Sequence, residues 1–154
     1  MTPAIRRARP DDLVAVERIV AEAYGPYVAR IGRKPGPMLD DYARLIAAGL
    51  IEVAEGGDGL DGLVVLVPEE GALLLDNVAV RDRARGRGLG RALMDHAEAR
   101  ARALGLPAVR LYTHELMTEN RAIYAGRGFV ETHRAEEGGF RRVFMTKRLE
   151  VEPG

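Results

Sequence analysis

Val78-Ala79-Val80-Arg81-Asp82-Arg83-Ala84-Arg85-Gly86-Arg87-Gly88-Leu89-Gly90-Arg91-Ala92-Leu93-Met94 runs from a β-branched segment through three glycines into helix-forming residues. A helix that opens directly on such a turn begins with amides that have no acceptor inside it. The macrodipole adds positive potential at the same place, so the corner suits a phosphate or pyrophosphate. Charge-assisted bonds contribute about 1.5–3 kcal/mol each, and several together hold a diphosphate. Arg85, Arg87 and Arg91 add longer-range attraction. Two other phosphate-binding patterns do not fit. Gly-x-Gly-x-x-Gly needs a glycine at 91, where Arg91 stands, and Gly-Lys-Ser/Thr is absent. The plain alternative is a surface turn in an arginine-rich chain.

On either side of this corner the punctuation predicts the remaining elements. Upstream, a strand at Ala4–Ala8 is followed by Arg9-Pro10-Asp11-Asp12, a break and N-cap for a helix over about 11–23 that buries Leu13, Val16, Ile19 and Val20. Residues 24–38 hold three Pro and three Gly, which predicts a structured loop in place of a continuous helix. Asp40-Asp41 caps a second helix to about Ala48, stopped by Gly49. Strands at Leu50–Glu55, Leu60–Val67 and Ala72–Val80 form an antiparallel meander. Downstream come a helix over Leu89–Leu104, a strand at Val109–Thr113, a short helix at Thr118–Arg127, and a hairpin of Phe129–Arg134 and Arg141–Leu149 around Glu136–Gly139. The expectation is one domain over 1–149, with 150–154 as a frayed tail.

Bulk properties narrow the classes. With 23 basic and 23 acidic residues the formal net charge is zero, which argues against a nucleic-acid partner or an anionic membrane surface. The absence of cysteine excludes disulfides, thiolate metal sites and a sulfur acyl-enzyme, and no metal is expected. No run approaches the roughly 18 apolar residues of a membrane span, and the first residues lack an apolar signal core, so cytoplasmic residence is the expectation.

Arg85-x-x-Gly88-x-Gly90, between Val78-Ala79-Val80 and Arg91-Ala92-Leu93-Met94, resembles the coenzyme A signature of the GNAT N-acetyltransferases. The resemblance implies an α/β fold with a mostly antiparallel, twisted sheet, helices on both faces, and an opening between the strands that end near Val80 and Thr113. It implies Arg85, Gly86, Arg87, Gly88, Leu89 and Gly90 as the pyrophosphate loop of acetyl-coenzyme A, with Arg91 starting the helix and Val78 and Val80 offering backbone groups to pantetheine. Thr118-Glu119-Asn120-Arg121-Ala122-Ile123-Tyr124-Ala125-Gly126-Arg127-Gly128-Phe129 resembles the family's other cofactor motif. Asn120 and Tyr124, four apart, lie on one helical face. The family's pattern makes Asn120 a cofactor contact and Tyr124 the group that protonates the departing thiolate. Many members separate the two by seven residues; here the separation is four.

The implied activity transfers an acetyl group from acetyl-coenzyme A to a primary amine of a small molecule or protein. An aliphatic amine is almost wholly protonated at neutral pH, so a proton acceptor is required. The position of the family's usual glutamate falls on Leu74, which leaves Asp76, His114 and Glu115 as candidates by chemistry, Asp76 first because an acid after Leu73-Leu74-Leu75 needs a partner or a task. Tyr24, Tyr27, Arg30, Arg33 and Lys34 are expected on the acceptor side with His114, where free cations would favour an acceptor that also carries a carboxylate or phosphate. A non-catalytic acyl-coenzyme A binding or sensing domain is the alternative, and an unrelated nucleotide-binding module a third. Edge strands of the last hairpin offer a way to form a homodimer.

Overall fold

The computed structural model describes residues 4–150. Residues 151–154 of the expected tail lie outside the described residues. Seven strands form one sheet in the order β1-β2-β3-β4-β5-β7-β6: β1 Ala4–Arg7, β2 Ile51–Gly56, β3 Gly59–Glu69, β4 Ala72–Val80, β5 Ala108–His114, β6 Val130–Glu137 and β7 Phe140–Arg148. Every neighbouring pair is antiparallel except β4 and β5. The α-helices are α1 Leu13–Tyr24, α2 Tyr27–Ile31, α3 Tyr42–Ala47, α4 Leu89–Ala103 and α5 Thr118–Gly126.

Alternation along the central strands builds two cores. Val64 and Leu66 of β3 bury with Leu93, Met94 and Ala97 of α4 on one face. Leu63 and Val65 bury with Val16, Ile19 and Val20 of α1 on the other. Helices therefore cover both faces, and each fully buried Leu or Ile contributes about 1.5–3 kcal/mol by leaving water. Gly62 lets α4 approach closely: a Cβ there would meet the Ala79 carbonyl oxygen at 3.0 Å and Leu89 Cδ2 at 3.1 Å.

The segment expected to be a loop contains more helix than the prolines suggested. Pro26, with φ −59°, has a backbone already suited to a helix start, and α2 follows it until Gly32 at φ 87° ends it; a short 3-10 turn occupies Gly36–Leu39. Of the two aspartates before α3, only Asp41 caps, accepting from the Arg44 amide at 3.1 Å.

Two irregularities of β4 position everything that follows. It pairs with β5 only through Leu73–Val109 and Leu74–Arg110, after which the two strands part. On its other side Leu66 faces Leu75 while Val65 faces Asn77, so Asp76 is one residue too many. This β-bulge shifts the alternation: Leu73 and Leu75 precede it on the α4 face, and Val78 and Val80 follow it on that same face. Asp76 lies where the sheet opens.

Candidate active site

β4 passes through the glycine turn into α4, the strand–turn–helix order expected from the sequence. Gly86 and Gly88 have φ of 77° and 83°, left-handed values that cost an L side chain about 1–2 kcal/mol. Gly88 is the N-cap of α4. Among the described residues, the amides of Gly86, Arg87, Gly88, Leu89, Gly90 and Arg91 donate to no protein acceptor; Ala92 is the first to bond, to the Gly88 carbonyl at 3.0 Å. Six unclaimed donors at a helix start can hold an anion.

Five of the six residues, all but Arg87, border a cleft of about 1030 Å³ running between α4 and α5. Val78, Val80, Arg85, Gly86, Gly88, Leu89, Gly90, Arg91, Asn120 and Tyr124 all line it, and so do Tyr24 and Tyr27. Arg87 lines no part of it. Tyr24 donates its hydroxyl to Asn77 Oδ1 at 2.6 Å, with the Val78 carbonyl at 3.3 Å as a second acceptor. The backbone polar groups of Val78 therefore face away from β3, and by the two-residue strand period those of Val80 do too.

A narrow second cavity of about 50 Å³ meets the cleft at Tyr24, Val78, Asn120 and Tyr124. Asp76 and His114 line it, together with Tyr112, Phe140, Arg142 and the rim Pro35-Gly36-Pro37. Tyr112 donates to Asp76 Oδ1 at 2.7 Å. His114 accepts the Leu116 amide on Nδ1 at 3.1 Å, and burial, aided by the Arg141 charge and opposed by Glu115, lowers its pKa. The ring is neutral at pH 7.

Tyr124 stands at the junction. Its hydroxyl has no hydrogen-bond partner among the described residues, and burial pushes its pKa up to about 12, so it holds its proton throughout the neutral range. Asn120, one helical turn earlier, lines both cavities; the residue seven before Tyr124 is Met117, whose Sδ accepts from Thr113 Oγ1 at 3.7 Å.

Two of the three cations expected on the acceptor side, Arg30 and Arg33, are engaged. Arg30 bonds Glu119 at 2.7 and 3.0 Å and the Leu116 carbonyl at 3.3 Å, and lines neither cavity. Arg33 stacks on the Phe140 ring at 4.1 Å and donates to the Gly138 carbonyl. The sequence reading missed Asn77, which is 3% exposed and also donates to the Tyr42 hydroxyl at 3.0 Å, while Tyr42 donates to the Pro37 carbonyl. This chain ties the rim to the floor. A polar residue inside an apolar strand was the available signal. Glu115 pairs with Arg141 at 3.1 Å and lines neither cavity.

Residues 47–131, more than half of the chain, match the family model described as an acetyltransferase (GNAT) domain. The chain belongs to the GNAT acetyltransferase family. No curated protein is similar enough in sequence to match. Among solved structures, the chain is similar to the PaiA N-acetyltransferase of Thermoplasma acidophilum in complex with coenzyme A, at 18% identity and a TM-score of 0.78, over 97% of this chain and 100% of that one. Ard1 of Thermoplasma volcanium follows at 21% identity and 0.75, over 98% and 100%. A GNAT-family acetyltransferase of Listeria monocytogenes gives 17% and 0.72, over 96% and 95%. At these identities the likeness is one of fold. Among the described residues, no helix is long and apolar enough to cross a membrane, and no group of three His, Cys, Asp or Glu is placed to hold a metal ion.

Proposed function

We propose that this protein binds acetyl-coenzyme A in the larger cleft and transfers its acetyl group directly to a primary amine that enters through the smaller cavity. The observation that carries the reading is the meeting of the two cavities at Tyr124, with the unclaimed amides of Gly86, Gly88, Leu89, Gly90 and Arg91 along the larger one. The amides of residues 86–91 hold the pyrophosphate, assisted by Arg85 and Arg91, and the outward backbone of Val78 and Val80 aligns the pantetheine arm. When bound, the cosubstrate supplies the acetyl group as a thioester.

The rest falls to this chain's own groups. Asp76 takes the proton from the acceptor ammonium, so that a lone pair is available at nitrogen. Tyr112 fixes the carboxylate through its hydrogen bond. The Val80 amide polarises the acetyl carbonyl, and Tyr124 delivers its proton to the departing sulfur. Without cysteine, the chain has no sulfur nucleophile for a covalent acyl intermediate.

The test has two parts. Thermal shift with acetyl-coenzyme A, coenzyme A and ATP should show stabilisation by the first two, reaching about 2.7 kcal/mol at 100 times the dissociation constant. An amine panel read by free thiol release should then show turnover. Preference for ATP would demote the reading, and tight acetyl-coenzyme A binding with no amine turned over would favour a non-catalytic sensing domain.

A further inference from the structure

Strand register gathers three side chains on one wall of the smaller cavity. His114 of β5 stands directly opposite Arg142 of β7, so their side chains share a face of the sheet, and Tyr112, two residues before His114, shares it too. All three line the cavity. Tyr112 keeps two opposite charges apart: its hydroxyl donates to Asp76 at 2.7 Å, while the Arg142 guanidinium lies over its ring at 4.4 Å. Among the described residues Asp76 is the sole carboxylate lining the cavity and Arg142 the sole cation, and Arg142 forms its ion pair with Glu137 and not with Asp76. Both ends keep bonding capacity. Nη1 of Arg142 bonds Glu137, which lies outside the cavity lining, at 2.8 Å, and no protein acceptor among the described residues takes Nε or Nη2. Nη2 lies beside Gly36 at the rim, where a Cβ would already reach it at 3.6 Å; glycine leaves that nitrogen uncovered. His114 supplies a second donor, because a neutral ring whose Nδ1 accepts the Leu116 amide carries its proton on Nε2. A guanidinium with unfilled donors, facing an imidazole N–H across two paired strands, is suited to a carboxylate.

Resting on the proposed acetyl transfer, we infer that the acceptor is a short unbranched ω-amino acid, its reacting amine at Asp76 and its carboxylate held by Arg142 and His114. Tyr112, which marks the amine end, and His114, which marks the other, are about 7 Å apart along β5; a chain of about three methylenes covers that span with its terminal hydrogen bonds, and the single carbon of an α-amino acid does not. The cavity's small volume and its Pro35, Pro37 and Phe140 walls suit such a chain. A diamine of the same length brings a second ammonium against Arg142 and is disfavoured.

The experiment compares three acceptors of equal length, 4-aminobutanoate, n-butylamine and 1,4-diaminobutane, by kcat/KM from free thiol release, alongside the dissociation constant for acetyl-coenzyme A. The expected order is amino acid, then monoamine, then diamine, with at least tenfold between the first and last. Arg142→Gln should lower the ratio of amino acid to monoamine about tenfold, through the KM for the amino acid, and Arg142→Lys, which keeps the charge and loses the planar fork, should restore part of it. The acetyl-coenzyme A dissociation constant, measured on each variant, shows that the fold is retained. Equal rates for all three, preference for the diamine, or a ratio that Arg142→Gln leaves unmoved would overturn the inference while acetyl transfer itself stood. Failure to bind acetyl-coenzyme A, or to acetylate any amine, would instead remove the transfer reading on which it rests.

Discussion

Tyr112 reaches across the opening between β4 and β5 to donate its hydroxyl to Asp76 at 2.7 Å, two residues beyond the last backbone pair, Leu74 with Arg110. A side-chain bond takes over where the ladder stops. It aims the carboxylate at the cavity and leaves its second oxygen available.

Asp76→Asn should therefore lower kcat/KM about 100-fold at pH 7, within the usual contribution of a general base. The deficit should shrink as pH rises toward the acceptor's own pKa near 10.4, because more of the amine arrives already neutral. A pH profile of both proteins checks this; a constant gap would remove Asp76 as the base. Tyr112→Phe should cost roughly 10-fold, the loss of one hydrogen bond to a charged group.

Tyr124→Phe keeps the ring and deletes the proton. Turnover should fall about 100-fold, with the acetyl-coenzyme A dissociation constant changed by less than about twofold. Steady-state kinetics with calorimetric binding separate the two, and weakened binding at normal turnover would contradict the role.

The phosphate turn depends on backbone shape. At Gly86 and Gly88 a Cβ would meet nothing within 4 Å, so the cost of alanine there comes from φ and not from crowding. Gly86→Ala with Gly88→Ala should weaken coenzyme A binding about tenfold or more, since each left-handed alanine costs about 1–2 kcal/mol and re-aims the free amides. Titration calorimetry on protein with unchanged circular dichroism is the measurement.

Asp40 gives stability a pH signature. Its folded-state pKa is raised from 3.8 to about 6, so the folded protein holds this proton more tightly than the unfolded chain does. Its ionisation works against folding as pH climbs through that window, and below about 4 the effect is gone. Asp40→Asn should thus melt higher than wild type at pH 8, with the difference closing between pH 6 and pH 4. Thermal melts across pH test this, and a gap that widens on acidification would reverse the sign.

Glu98 is buried beneath the cleft wall, where it takes Lys147 at 2.9 Å and Arg127 at 2.8 Å. Glu98→Ala leaves Lys147 without its partner while Arg127 keeps Asp95 at 2.7 Å, and should destabilise by about 1–3 kcal/mol in urea unfolding. Glu98→Gln should cost less.

Much of this was legible in the chain. Glycines and prolines marked the element boundaries, and apolar spacing in α1 gave its buried face, because these signals are local. The bulge was not legible: Leu73-Leu74-Leu75 is apolar throughout, so no alternation existed in which to see a slip, and an aspartate carries no mark of an extra residue. The charges on the acceptor side misled for the opposite reason. Arg30 and Glu119 stand 89 residues apart, and only the folded chain brings them together. Asp40 read as a capping partner of Asp41, and only Asp41 caps.

The extra residue at 76 has one more implication. Excising Asp76 would restore an unbroken two-residue rhythm to β4 and remove the reason for its drift from β5. Such a shortened chain would have the tidier sheet. It would keep Val78 and Val80 facing α4, because the ladder would pass from Leu75–Leu66 straight to Asn77–Val65, and it would lose the carboxylate that Tyr112 holds at the opening.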